Sequence, residues 1–166
     1  MQKIEAVGIN VGPGSFTGIR ACTTVGRVIA QQVEIPLVNV SSLKILSKIA
    51  KNQNAVVTLD ARKGCVFVAV YEEEKEVVAP KLIKIEELET LIKNKDVTAI
   101  CDNIIYNKLK EIRDGIINYE EDNYPLNEFL IKITYEKLKN SKNWAEDFNW
   151  AKVKPLYIQP PSVFGK

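Results

Sequence analysis

Gly12-Pro13-Gly14-Ser15-Phe16-Thr17-Gly18-Ile19-Arg20 is the stretch on which the fold turns. An apolar run, Ala6-Val7-Gly8-Ile9-Asn10-Val11, leads into it, and an amphipathic stretch from Gly18 to Gln32 leads out. That order predicts strand, glycine loop, helix. Glycines admit backbone angles that other residues resist, so the loop can turn tightly and bring its N–H groups close to a ligand or a neighbouring chain. Ser15 and Thr17 are both candidate helix caps, and a helix N-terminus attracts anions. Gly12, Gly14, Ser15, Thr17, Gly18 and Arg20 are therefore the candidate anion contacts. The spacing G-x-G-x-x-x-G is one residue too long for a dinucleotide fingerprint, and the loop lacks the Gly-Lys-Ser/Thr ending of a P-loop. Spacing alone favours a structural turn over a phosphate site.

Along the helix that follows, apolar or small residues recur at Ile19, Cys22, Gly26, Ile29 and Val33. This is a helical stripe. Cys22, Gly26 and Ala30 are all small, and small residues at that spacing admit a second helix closely. Ile19, Cys22, Gly26, Ile29 and Ala30 are thus the candidate partner interface. The alternative is that this face packs on the protein's own sheet.

The chain has 166 residues, of which 46% are hydrophobic and 27% charged, with a net charge of +2. That is enough for one domain or two small lobes, and the charge balance demands neither nucleic acid nor an anionic membrane. Cys22, Cys65 and Cys101 match no metal or redox spacing and read as small buried residues of a reducing compartment. There is no histidine. That removes the usual general base near neutral pH, the usual zinc ligand and any Ser-His or Cys-His pair. No stretch is long and apolar enough to span a membrane, and no secretory h-region opens the chain, so the expected location is cytoplasmic.

Glu34-Ile35-Pro36 ends the helix, Leu37 to Val40 reads as a strand, and Ser41-Ser42 caps a helix from about Leu43 to Lys51. Two β-rich runs, Ala55 to Asp60 and Cys65 to Tyr71, joined through Gly64, read as a hairpin. Val77-Val78 begins a third strand. Helices are expected at Ile85 to Asn94, Asn107 to Arg113 and Leu126 to Asn140, with a strand at Val97 to Cys101. The tail from Lys154 to Pro161 is extended by its prolines. A boundary near Asn52 to Asn54 divides residues 1–53 from residues 54–166. Asp60 and Asp102 end strands, where catalytic carboxylates often sit. Hairpin geometry for Asp60 and a turn cap for Asp102 are the preferred reading over a catalytic one. Arg62 and Lys63 read as exposed turn residues, and no carboxylate pair is spaced for acid–base work.

Three segments carry a resemblance. They are the glycine loop with its helix, Leu59-Asp60-Ala61-Arg62-Lys63-Gly64 with the strand after it, and Pro155-Leu156-Tyr157-Ile158. Together they resemble the TsaB family, also called YeaZ and long labelled glycoprotease-like. The resemblance implies an α/β actin-like ATPase (ASKHA, RNase H-like) fold, two lobes that each begin with a three-strand meander. The family's opening Ile-Asp-Thr-Ser strands and first helix have no counterpart here. The expectation is therefore a truncated N-terminal lobe over residues 1–53, carrying the glycine loop and a dimerisation helix, and a complete second lobe with a C-terminal tail over residues 54–166.

The resemblance further implies a non-catalytic subunit in the synthesis of threonylcarbamoyladenosine on tRNA. Its implied partners are a TsaD-like catalytic subunit and a TsaE-like ATPase, with tRNA reached only through the complex. It implies no catalytic residue, no metal and no cofactor of its own, leaving a nucleotide at a partner interface as the one candidate ligand. The competing readings are an actin-like-fold ATPase or kinase and a glycoprotease-like peptidase. Finally, the strand at Ala6 to Val11 would lack its family neighbour, with only Lys3 and Glu5 guarding the edge. A homodimer is the simplest way to cover it.

Overall fold

The computed structural model describes residues 4–51, 54–93 and 97–158. Lys3, residues 52 and 53 of the expected boundary, Asn94 at the expected helix end and tail residues 159–161 lie outside the described residues. The chain forms two compact units, Met1–Lys48 with Asn123–Leu156, and Ile49–Asp122 with Tyr157–Lys166. The units are therefore not two consecutive segments. Residues 123–156, expected beyond the boundary at 53/54, belong with the first unit, because their long helix buries its apolar face on the N-terminal strands.

In the first unit, β1 (Val7–Asn10) pairs in parallel with β2 (Leu37–Val40). The crossover between them is α1 (Phe16–Val33), two residues longer at its start than the periodicity predicts, because Ser15 rather than Thr17 caps it. The two faces of this small sheet are covered by different helices. Ile9, Leu37 and Ala30 form one core with Val153, and Cys22 and Trp150 pack against it. Val38, Val40, Ile45 and Ile133 form the other, under α5 (Leu126–Asn140) and α2 (Ser42–Ser47). Strand alternation explains the split, since successive side chains point to opposite faces. Fully burying each such aliphatic side chain stabilises the fold by roughly 1.5–3 kcal/mol.

A short helix, α6 (Trp144–Asp147), and a 3-10 turn (Trp150–Lys152) follow α5. The chain then bonds Leu156 N–H to the carbonyl of Val11 at 2.8 Å. The expected Pro-Leu-Tyr-Ile element is thus extended, as its proline requires, and tied to the end of β1.

In the second unit, β3 (Ala55–Asp60), β4 (Cys65–Glu72) and β5 (Lys75–Lys84) form an antiparallel meander. β6 (Thr98–Cys101) and β7 (Ile117–Asn118) add in parallel on the far side of β3, giving the order β5-β4-β3-β6-β7. α3 (Ile85–Ile92) and α4 (Asn103–Leu109) bury Leu88, Ile92, Ile105 and Leu109 against Val56, Val66 and Val68. β5 runs well past the expected Val77-Val78 and through Pro80. It can do so because it is an edge strand, where a missing N–H costs nothing to the ladder. Both hairpins turn on consecutive left-handed residues, Arg62 and Lys63 before Gly64, and Glu73 with Glu74. Such primed turns match the twist of the strands they join.

Candidate functional site

The glycine loop is held from within. Asn10 Oδ1 accepts from Gly12 N–H at 2.9 Å and from Ser42 Oγ at 2.8 Å, and Ser42 N–H donates to the carbonyl of Gly12 at 2.8 Å. The loop is thereby stapled to the start of α2. Gly12 sits at φ +98, which L side chains rarely adopt, and a Cβ there would press on Ile19. Ser15 Oγ accepts from Gly18 N–H at 3.4 Å, and its carbonyl accepts from Ile19 N–H at 2.9 Å. The N–H groups of Gly12, Gly18 and Ile19 are all engaged inside the protein. Gly14, Ser15, Thr17, Gly18 and Arg20 are exposed, whereas Gly12 is buried. The Arg20 guanidinium stacks over the Phe16 ring at 3.7 Å from its centroid. It also lines a groove of about 430 Å³ with Thr24, Arg27, Gln31, Trp150 and Pro155.

The small-residue stripe of α1 faces inward, which corrects the expected interface. A Cβ at Gly26 would lie 2.8 Å from Ile9 Cγ2 and 3.3 Å from Leu37 Cδ1. Ile19 and Ala30 are buried, and Cys22 packs against the same core. The small residues therefore admit the protein's own sheet, not a partner helix. Of the five expected interface residues only Ile29 is exposed. It joins an aliphatic row on the outside, with Val25 at 58%, Val28 at 53%, Ile29 at 41% and Val33 at 54% of full exposure. Sequence reasoning missed Val25 and Val28 as surface residues. The signal was there, since the apolar positions of α1 span more of its circumference than one buried stripe requires.

Of the two strand-end aspartates, Asp102 is engaged through both carboxylate oxygens and Asp60 through its backbone N–H. Asp102 caps α4, accepting from Ile105 N–H at 2.9 Å, and its other oxygen accepts from Asp60 N–H at 2.5 Å. It ties the ends of β3 and β6 together. α4 begins at Asn103, four residues before the expected Asn107, because this cap is available. Around it, burial pushes the Cys101 thiol up to about 12, helped by the charges of Asp102, Glu120 and Glu121. Burial also raises the Tyr119 hydroxyl to about 12, with Glu120 and Asp102 adding. Both folded values exceed the ordinary ones of 9.0 and 10.0, so the folded state holds these protons more tightly. The stability they contribute is full below about pH 9 and drains as pH rises toward 12. Urea titrations between about pH 8 and pH 11 should show a steady loss, reduced in Cys101→Ala. Equal slopes in the two proteins would refute the assignment.

Among the described residues no group of three or more Cys, Asp or Glu side chains is placed to hold a metal ion, and no helix is long and apolar enough to cross a membrane.

A family model described as TsaD: tRNA N6-adenosine threonylcarbamoyltransferase matches residues 1–113. The tRNA threonylcarbamoyladenosine biosynthesis protein TsaB of Bacillus subtilis is 28% identical over 101 residues, 57% of this chain and 44% of that protein. TsaB of Escherichia coli is 33% identical over 79 residues, 45% of this chain and 34% of its own length. TsaB of Buchnera aphidicola is 26% identical over 153 residues, 86% of this chain and 71% of its own length. The chain thus spans less than half of the Bacillus and Escherichia relatives. Among solved structures, YeaZ from Pseudomonas aeruginosa superimposes with a TM-score of 0.68 at 20% identity, covering 92% of this chain and 74% of the other. A Pseudomonas aeruginosa protein described as similar to peptidase YEAZ also reaches 0.68, at 18% identity, covering 94% and 74%. These likenesses identify the fold as the actin-like, RNase H-like α/β fold.

Proposed function

The chain belongs to the family of that TsaD model, within its TsaB/YeaZ branch, and on that premise we propose that it is a non-catalytic partner subunit in the synthesis of threonylcarbamoyladenosine on tRNA. In this reading it docks on a TsaD-like catalytic subunit, a TsaE-like ATPase joins the complex, and tRNA is reached only through the assembly. The observation that carries the reading is the exposed aliphatic row of α1, Val25, Val28, Ile29 and Val33. Several aliphatic side chains on one helix face, each about half exposed, are what a packed partner would cover. The glycine loop supports the same reading. The Ser15 hydroxyl and carbonyl accept from Gly18 and Ile19 N–H at the start of α1, and Gly12 N–H is held by Asn10, so the loop serves to aim the docking helix.

The test is binding of the purified chain to a TsaD-like subunit from the same cell, together with the threonylcarbamoyladenosine content of tRNA in cells lacking the chain. Val25→Lys with Val28→Lys should weaken binding at least tenfold, with an unchanged circular dichroism spectrum. That corresponds to about 1.4 kcal/mol or more. Normal modification in cells without the chain, or full binding by the double variant, would sink the reading.

A further inference from the structure

The groove between α1 and the 3-10 turn is a second surface of the first unit, and all the residues that line it belong to that unit. Arg20, Thr24, Arg27 and Gln31 line it from the helix, and Trp150 and Pro155 form the facing wall. With about 3.6 residues per turn, those four helix positions fall in one row, on the side opposite Val25, Ile29 and Val33. The facing wall is fixed to the core beneath it. Trp150 packs with Ile9 and Leu37, Asn149 Oδ1 caps its turn by accepting from Ala151 N–H at 2.9 Å, and Leu156 N–H, just past Pro155, donates to the Val11 carbonyl at 2.8 Å. The charge of the groove has one sign. α1 carries two arginines and no acidic residue, and the described lining of the groove includes no carboxylate. The Arg20 guanidinium lies 3.7 Å from the centre of the Phe16 ring, and that of Arg27 lies 6.0 Å from the centre of the Trp150 ring. A guanidinium over a ring keeps its N–H fork in its own plane, and that fork matches a carboxylate.

We propose that this groove binds an acidic, proline-containing segment of a partner protein, extended as a polyproline II helix, with carboxylates three residues apart on Arg20 and Arg27. The proposal goes beyond the docking of the aliphatic row and does not depend on it. Spacing selects this conformation. The rise from Arg20 to Arg27 along α1 is about 10.5 Å. A polyproline II helix presents the same face every three residues, about 9.3 Å apart. In a β-extended segment, side chains on one face recur at about 6.6 Å and about 13 Å, and neither matches. The wall fits the same occupant. Proline-rich segments dock in aromatic-lined grooves, because their conformation is set before binding, and Trp150 with Pro155 offers such a surface. The backbone of a polyproline II segment makes no internal hydrogen bonds. The exposed Thr24 hydroxyl and Gln31 amide, in the same row as the arginines, are donors suited to its carbonyls.

The experiment is an NMR titration of the full chain with the capped hexapeptide Pro-Glu-Pro-Pro-Glu-Pro. The control is Pro-Glu-Pro-Glu-Pro-Pro, which has the same composition and charge but carboxylates two residues apart. The expected result is saturable shifts of the Thr24 and Arg27 amides and of the Trp150 indole N–H, with the first peptide bound roughly tenfold more tightly than the second, the value of one charged hydrogen-bond pair. Arg20→Gln and Arg27→Gln, each with an unchanged circular dichroism spectrum, should weaken binding of the first peptide by a similar factor and abolish the preference between the two. No shift in the groove overturns the proposal. Equal binding of the two peptides also overturns it, since charge alone would then be at work. So does tighter binding of a uridine hexanucleotide than of the first peptide, which would make the groove a nucleic-acid contact. None of these outcomes bears on the docking of Val25 and Val28, which is read from binding to a TsaD-like subunit.

Discussion

Gly26→Leu is expected to unfold or severely loosen the first unit, with a loss of about 3 kcal/mol. The site has no room, since even a Cβ would sit 2.8 Å from Ile9 Cγ2 and 3.3 Å from Leu37 Cδ1. A leucine must push α1 off the sheet or force Ile9 and Leu37 from their rotamers, and overpacking of this kind typically costs about 1–3 kcal/mol, occasionally more. The gain in helix propensity from removing a glycine, about 1 kcal/mol, offsets only part of it. Gly26→Ala should fall between. The opposite face of β1 supplies the matching control. A Cβ at Gly8 would land on the Thr134 hydroxyl, which donates to the Leu130 carbonyl at 2.7 Å. Gly8→Ala should therefore destabilise as well, whereas Gly14→Ala, with nothing within 4 Å, should be near neutral. Thermal melts of the variants are the measurement. A Gly26→Leu protein as stable as the parent would place the stripe on the surface after all.

Asp102→Ala is expected to cost about 3 kcal/mol in the second unit. Losing the α4 cap accounts for about 1 kcal/mol. The Asp60 N–H, whose acceptor is Asp102 Oδ2 at 2.5 Å, is then left without a partner between the ends of β3 and β6. A buried donor with no acceptor costs about 1–3 kcal/mol. Asp102→Asn keeps one acceptor oxygen and should lose much less. Asp102→Ser keeps the cap but falls short of Asp60, so it should fall between. Denaturant titration orders the three, and any other order would show that the carboxylate does not join these strand ends.

The two predictions mark where the sequence was legible. β1, the glycine loop, α1, the β3–β4 hairpin and α5 are local events. They follow from alternation, from a proline and glycines at turns, and from side-chain oxygens just ahead of apolar periods. Their positions could be read directly, to within a turn at the ends. Asp102 as a cap was equally local, because a cap needs only its own next three residues. The family resemblance lay in the same local strings, above all in Gly12 to Arg20.

What lay beyond reach was every question of which face meets which. α1 is apolar around much of its circumference, so its period names no single inner flank. The inner flank is chosen by Ile9 and Leu37, which fit only over Gly26. The outer flank, Val25, Val28, Ile29 and Val33, is left exposed only by that choice. Residues 123–156 join the first unit for the same reason. Their helix carries an apolar face that any sheet could bury, and only the assembled fold shows that β1 and β2 receive it. By itself the sequence determined the elements, their caps and the family. The tertiary structure decided the partners of each face, because burial is a property of the assembled surfaces and not of the residues that line them.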